Sequence, residues 1–91
     1  MVSRTRTSRQ RRLYAVVSQN VKNCSFETLA NMLEVFGFVR RRRRSGSSHT
    51  VFIHAGQKLS IPFARPIKEW YVREALLTVD TLFGRDETVD P

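Results

Sequence analysis

The chain has a single cysteine, no long apolar run and few acidic residues in its first two thirds. Cys24 is the only cysteine among 91 residues, so an intrachain disulfide is excluded and we expect the thiol to pack between helices. No apolar run approaches the roughly 18 residues that a membrane-spanning helix needs. The basic N-terminus lacks the apolar segment of a signal peptide. We therefore expect a cytoplasmic protein that does not associate with membranes.

Acidic residues are scarce where basic residues are dense. The chain carries 16 Lys and Arg against 8 Asp and Glu, a formal net charge of +8. Residues 1–66 hold thirteen basic and two acidic side chains, whereas residues 67–91 hold three basic and six acidic ones. A locally basic surface concentrates phosphates and makes their binding depend on salt. The charge pattern favours nucleic acid over a neutral small molecule as the partner.

The length of 91 residues suits one small domain with one core. We expect a flexible basic arm over residues 1–8, a single domain over residues 9–84 and a frayed acidic tail over residues 85–91. Apolar periodicity and capping residues predict six elements between the arm and the tail. They are helices over Arg9–Val21 (capped by Ser8), Ser25–Phe36 (closed by Gly37) and Ile67–Leu82, and strands over Phe38–Arg44, His49–His54 and Lys58–Phe63.

This order, α-α-β-β-β-α, predicts an α+β fold in which helices cover one face of a three-stranded antiparallel sheet. The first and third strands are expected at the edges. Charge repulsion in the arginine-rich first strand discourages pairing with another chain, and Pro62 near the end of the third cannot donate a ladder hydrogen bond.

The most informative stretch runs from Arg40 to Ile53. Five consecutive arginines, Arg40, Arg41, Arg42, Arg43 and Arg44, are followed by a Ser/Gly turn and then by His49. Arginine is permanently charged and binds phosphate oxygens bidentately. Histidine is the side chain that exchanges a proton near neutral pH. The stretch therefore joins a phosphate-binding surface to a candidate general base.

Four segments together resemble the HicA-type messenger-RNA interferase toxins. They are F-E-T-L-A-N-M-L-E-V-F-G-F, S-S-H-T-V-F-I-H, L-S-I-P and K-E-W-Y-V-R-E-A-L-L, in this order between Phe26 and Leu82. The leading helix is similar to one that a HicA-like subgroup adds. The resemblance implies a double-stranded-RNA-binding-like α-β-β-β-α fold. It also implies a metal-independent endoribonuclease that needs no cofactor and is held inactive by a HicB-like antitoxin.

Carried over by position, the resemblance makes His49 the catalytic histidine and sets Phe52 and His54 at the family's aromatic and second-histidine positions. Pro62 matches the third-strand proline. The last-helix pattern is matched by Lys68, Val72 and Arg73. The family's glycine directly before Ser-His is Ser47 here. RNA phosphates are then expected to contact the arginine run together with Lys58 and Lys68.

The chemistry of RNA cleavage suits these residue types. A base must deprotonate the 2′-hydroxyl, which typically contributes about 10²–10⁴-fold to the rate, and cations must stabilise the crowded phosphorane. His49 and His54 are an odd number of positions apart, so a regular strand points them to opposite faces. We therefore expect His49 to work with a cation such as Arg44 or Lys58, and His54 to be structural.

Other interpretations remain open at this stage. A non-catalytic RNA-binding module keeps the same fold and basic face, and a DNA-binding protein could use the basic N-terminal arm. Ser47 and Ser48 are ordinary turn residues rather than nucleophiles, because no orienting carboxylate is near them in sequence. Two histidines and one cysteine do not form a zinc-ligand pattern, so no metal site is expected.

Overall fold

The helices pack on one face of a three-stranded antiparallel sheet in the computed structural model, which describes residues 6–42 and 49–84. The predicted order α-α-β-β-β-α and the α+β class are confirmed. The predicted tail over residues 85–91 and the turn over residues 45–48 lie outside the described residues. The elements are α1 (Ser8–Ser18), α2 (Phe26–Val35), β1 (Val39–Arg42), β2 (His49–His54), β3 (Gln57–Pro62) and α3 (Glu69–Phe83).

The start of α1 differs from the prediction by one residue. Thr7, rather than Ser8, is the N-cap, because its hydroxyl accepts from the Gln10 backbone N–H and the Gln10 side chain accepts from the Thr7 N–H. This reciprocal pair is a capping box. The helix ends at Ser18, earlier than the predicted Val21. The cap was misassigned because Thr7 and Ser8 both have a suitable hydroxyl.

The N-terminal arm reaches less far than the sequence indicates. Arg6 is buried. One of its Nη atoms donates to the carboxylate of Asp80 in α3 at 3.2 Å and to the carbonyl of Gly84, the residue after α3. Tyr14 of α1 donates to the other oxygen of Asp80 at 2.8 Å. The Arg6 guanidinium also lies 4.8 Å from the centroid of the Tyr14 ring. These contacts form a clasp, Arg6–Asp80–Tyr14, that holds α1 against α3.

The other helices follow the sequence closely. Ser25 caps α2 as predicted, accepting from the Thr28 N–H, and Gly37 follows its end with a positive φ of 100°. The third helix begins at Glu69, two residues later than predicted, with Lys68 as an N-cap that makes no side-chain capping bond. Gly84 closes α3, also with positive φ.

The sheet order is β1-β2-β3, so β1 and β3 are its edges, as predicted. His49 pairs with Pro62, and His54 pairs with Gln57, so the hairpin turn is the two residues Ala55 and Gly56. Both have positive φ, 51° and 81°, which is the conformation of a type I′ turn. The turn is one residue shorter than the strand bounds predicted from the sequence, His49–His54 and Lys58–Phe63, imply, because Gln57 belongs to β3.

The core lies between the sheet and the helices. Phe52 at the centre of β2 is fully buried, and Leu59 and Ile61 from β3 are buried on the same face. The helices supply most of the rest of the core, although Val16 of α1, which has the spacing of an apolar stripe with Leu13 and Val17, is 41% exposed. The largest fully buried side chains are Phe52, Leu29, Met32, Leu33, Ile61, Ile67, Val17, Val72 and Val79. None of the helices over residues 6–42 and 49–84 is long and apolar enough to cross a membrane.

Candidate nucleic-acid interface

One face of the sheet is not covered by the helices of the described chain. Side chains alternate between faces along a strand, and paired residues of antiparallel strands share a face. Because Phe52, Leu59 and Ile61 face the helices, the residues between them face outward. We call this surface the open sheet face. Its described members are Val39, Arg41, His49, Val51, Ile53, Lys58, Ser60 and Pro62.

The open sheet face combines apolar and basic character. Val39 is 61% exposed, and Val51 and Ile53 are half-buried. Arg41 and Lys58 are exposed cations, and the described members of the face include no acidic side chain. Such a surface attracts phosphates electrostatically while its apolar centre accommodates sugar or base.

His49 lies at the first position of β2, half-buried on the open sheet face and opposite Pro62. Arg41 pairs with Val51, the next outward residue of β2, so Arg41 and His49 are diagonal neighbours. Diagonal residues on one face of an antiparallel pair lie about 7–8 Å apart, within reach of a long side chain. The register therefore brings one arginine of the run beside the candidate base.

The predicted cation Lys58 is not beside His49. It pairs with Ile53, four residues along β3 from Pro62, which corresponds to about 13 Å of strand. The other predicted lysine, Lys68, is exposed at the start of α3 rather than on the sheet. Of the phosphate ligands predicted from the sequence, Lys58 shares the face with His49 but Lys68 does not.

Arg40 points away from His49, toward the helices. Its Nε donates to Glu34 at 2.9 Å, and its guanidinium lies 5.5 Å from the Phe26 ring centroid and 5.7 Å from that of Phe52. A cation over aromatic faces contributes about 0.5–1 kcal/mol when partly exposed. Sequence alone could not separate Arg40 from Arg41, because that requires the strand register.

Arg42 is the last residue of the arginine run that the structure describes. The backbone of Arg42 belongs to β1 and pairs with Thr50. The predicted phosphate ligands Arg43 and Arg44 lie outside the described residues, as does Ser47.

His54 is half-buried on the helix-covered face of the sheet, opposite to the face of His49. Its ring stacks on Phe83 with centroids 5.3 Å apart and also contacts Phe38. Its Nδ1 lies 3.1 Å from the Gly37 carbonyl oxygen. The ring thus connects the end of β2 with α3 and with the α2–β1 connection, which is the structural role predicted from the odd spacing.

The contact between His54 and Gly37 leads to a stability prediction. A Cβ at Gly37 would lie 3.1 Å from the His54 ring, and the φ of 100° disfavours any L side chain. At Gly56 the φ of 81° imposes a similar backbone restriction, but nothing lies within 4 Å. We expect Gly37→Ala to lower the free energy of unfolding by about 2 kcal/mol and Gly56→Ala by about 1 kcal/mol. Urea unfolding of both variants measures the difference, and equal losses would mean that the His54 contact contributes nothing.

A groove at the end of the sheet where His49 pairs with Pro62 was not predicted. It has a volume of about 540 Å³ and lies between the start of α2 and the segment that follows β3. Phe63, the residue after Pro62, is 56% exposed in this groove and rests against Phe26 with ring centroids 5.2 Å apart. The remaining lining residues are Asn23, Ser25, Glu27, Arg65 and Pro66. Two segments about forty residues apart along the chain form it, so no local motif indicates it.

Cys24 has no catalytic environment. It is 2% exposed within the core, as predicted, and burial raises the pKa of its thiol, an effect that a backbone hydrogen bond from Leu29 partly offsets. A thiol that stays protonated is a poor nucleophile. Within residues 6–42 and 49–84 no group of three or more His, Cys, Asp or Glu side chains is arranged to hold a metal ion.

Comparison of the chain with protein-family models, with curated proteins and with solved structures finds no match.

Proposed function

We propose that this protein is a metal-independent endoribonuclease whose cleavage site lies on the open sheet face at His49. The observation that carries the proposal is the juxtaposition of His49 with Arg41 on a face without acidic neighbours among its described members. Such a pair offers a base and a phosphate ligand in one place, which is the minimum that cleavage through the 2′-hydroxyl requires.

In the proposed reaction His49 takes the proton of a 2′-hydroxyl. The 2′-oxygen then attacks the adjacent phosphorus, and the bond from phosphorus to the 5′-oxygen of the next nucleotide breaks. The 5′-oxygen takes up a proton from solvent. Arg41 binds the non-bridging phosphate oxygens, which carry increasing negative charge as the phosphorane forms.

The finer fold and family are part of the same proposal. The α-β-β-β-α order after α1 and the His49–His54 segment in β2 support a double-stranded-RNA-binding-like fold of the HicA type. On this proposal the protein is the toxin of a toxin–antitoxin pair that cleaves messenger RNA in the cytoplasm. A HicB-like antitoxin with an acidic surface would cover His49 and Arg41, since opposite charges favour that contact.

A non-catalytic RNA-binding module is the second candidate. The observation that favours it is the position of Lys58, about 13 Å along the sheet from the residue opposite His49, which suits binding of an extended strand better than concentration of charge at one phosphate. This candidate keeps the open sheet face as an RNA surface and assigns no proton transfer to His49.

The two candidates differ in what happens to bound RNA. The purified protein is incubated in excess EDTA with a single-stranded RNA and, separately, with DNA of the same sequence. We expect the RNA to be cut and the DNA to remain intact, because only RNA has the 2′-hydroxyl that attacks. Tighter binding of RNA than of DNA, without cleavage, favours the second candidate. Equal affinity for both nucleic acids without cleavage supports a DNA-binding protein instead.

A further inference from the structure

The groove beside β3 has the features of a site for an unpaired base. Phe63 exposes more than half of its surface there, and its ring packs against the tilted ring of Phe26 at a centroid distance of 5.2 Å. Aromatic side chains that are exposed yet fixed in orientation are the platforms on which single-stranded nucleic acids stack. The volume of about 540 Å³ lies within the range of roughly 300–1,000 Å³ typical of small-molecule sites.

The walls of the groove are tied together by the fold. The Ile67 N–H donates to the Cys24 carbonyl at 2.9 Å, and Ile67 is itself buried. This bond fixes the segment after β3 against the turn that precedes α2. The groove is therefore formed before any ligand binds, which reduces the entropy lost on binding.

Charge within the groove favours a base over a phosphate at its centre. Arg65 and Glu27 both line it, so a phosphodiester placed centrally would lie near a carboxylate as well as a guanidinium. A neutral base avoids this repulsion and can hydrogen-bond to Glu27 and to the Asn23 amide through its polar edge. Arg65 then remains available for the phosphate that accompanies the base.

The groove is close to the proposed cleavage site. Pro62 is paired with His49, which places their Cα atoms about 4.5–5.5 Å apart, and the Cα of Phe63 is about 3.8 Å further along the backbone. The Phe63 side chain contacts Phe26 on the helix-covered side, so the groove and His49 lie on the two sides of this end of the sheet. Since β3 is an edge of the sheet, an RNA strand can pass from the open sheet face around the end of β3 into the groove.

We infer that this groove, with Phe63 as the stacking platform and Arg65 as the phosphate ligand, binds an unpaired base of single-stranded RNA next to the phosphate held at His49. The inference rests on the proposed function in taking RNA as the partner. It does not require that the RNA be cleaved.

The test compares binding of two probes that cannot be cleaved. One is a single-stranded 2′-O-methyl RNA octamer, and the other is an abasic octamer of equal length and charge with the same 2′-O-methyl groups. We expect Phe63→Leu to weaken binding of the first probe roughly tenfold and to leave binding of the second unchanged, because leucine keeps the contact with Phe26 but cannot stack. Phe63→Tyr should stay within about twofold of the wild type, since its ring still stacks.

Two further variants serve as a control for the loss of an exposed apolar side chain and as a test of the charge contribution. Leu77→Ala removes an apolar side chain that is 67% exposed on α3 and should leave both affinities unchanged. Arg65→Gln should weaken both probes and lower the slope of log affinity against log salt by about 0.7, the value for one phosphate contact on a single strand.

Two outcomes overturn the inference. The first is that Phe63→Leu binds the base-containing octamer as tightly as the wild type does. The second is that the wild type binds the base-containing and the abasic octamer with equal affinity. Neither outcome bears on cleavage at His49, which is measured on ordinary RNA. Conversely, if the wild type cuts no RNA while Phe63→Leu still weakens binding of the base-containing octamer, that result would show the base site without the nuclease activity. Thermal unfolding of Phe63→Leu confirms that the variant is folded.

Discussion

Replacing His49 with alanine is expected to lower the rate of RNA cleavage by about 10²–10⁴-fold, the contribution that general base catalysis typically makes. His49 is half-buried at the first position of a strand, so the substitution removes few core contacts and should leave the fold intact. The rate is measured as kcat and KM on a single-stranded RNA in EDTA. The loss should fall on kcat, because the proton transfer occurs in the transition state.

A matched control lies on the same face. Lys58→Ala removes a cation at the far end of the open sheet face, paired with Ile53 rather than with Pro62. It should raise KM by a few-fold and leave kcat unchanged, since a distant cation contributes to binding alone.

Chemical rescue adds a readout that a structural role for His49 would not show. Imidazole added to His49→Ala should restore part of the cleavage rate, because a free base can occupy the vacated position. Wild-type kcat in His49→Ala would remove His49 from the mechanism. A lower rate with unaltered melting temperature but no response to imidazole would leave it a binding residue.

The second large effect concerns the clasp between the N-terminal segment and α3. We expect Asp80→Ala to lower the free energy of unfolding by about 2–3 kcal/mol, because it leaves the Arg6 guanidinium buried without its counter-ion and removes the acceptor of the Tyr14 hydroxyl. The Arg6 side chain is 5% exposed but Asp80 is 32% exposed, so the loss is smaller than for a fully buried pair. In a domain of this size the melting temperature falls by roughly 10–20 °C.

An exposed ion pair on the same helix provides the control. Arg73 and Glu69 are bonded at 2.6 Å with i,i+4 spacing, and the Arg73 side chain is 64% exposed. Glu69→Ala should cost less than about 0.5 kcal/mol. If Asp80→Ala costs no more than Glu69→Ala in the same thermal scans, then the clasp contributes no more than a surface pair.

The architecture could be predicted from the sequence because its signals are local. The stripe of Leu29, Ala30 and Leu33, the Ser25 cap and Gly37 define α2 with no reference to the rest of the chain. In the same way, the odd spacing between His49 and His54 was enough to assign them to opposite faces. Local periodicity carries this information directly.

The features that the sequence did not predict depend on distant residues. Arg6 resembles any other arginine of a basic arm, and its partner Asp80 is 74 positions away. Arg40 and Arg41 are adjacent in a strand and so face opposite sides, but only the pairing with Phe52 and Val51 shows that Arg41 is the one that shares a face with His49. The groove at Phe63 is formed by residues 23–27 and 63–66, two distant segments that the hydrogen bond from Ile67 to Cys24 helps to hold together. Tertiary contact, rather than propensity, determines each of these.

The proposed role of His49 makes a specific demand on the reaction products. Deprotonation of the 2′-hydroxyl leaves a 2′,3′-cyclic phosphate, or the 3′-phosphate formed from it by hydrolysis, on the upstream RNA fragment, and a free 5′-hydroxyl on the downstream one. The decisive measurement is mass spectrometry of the fragments produced by the wild-type protein in EDTA. We expect cyclic phosphate ends from the wild type, and we expect them to form about 10²–10⁴-fold more slowly with His49→Ala. Fragments that end in a 3′-hydroxyl would instead show that water attacks the phosphorus, which is incompatible with His49 activating the 2′-oxygen.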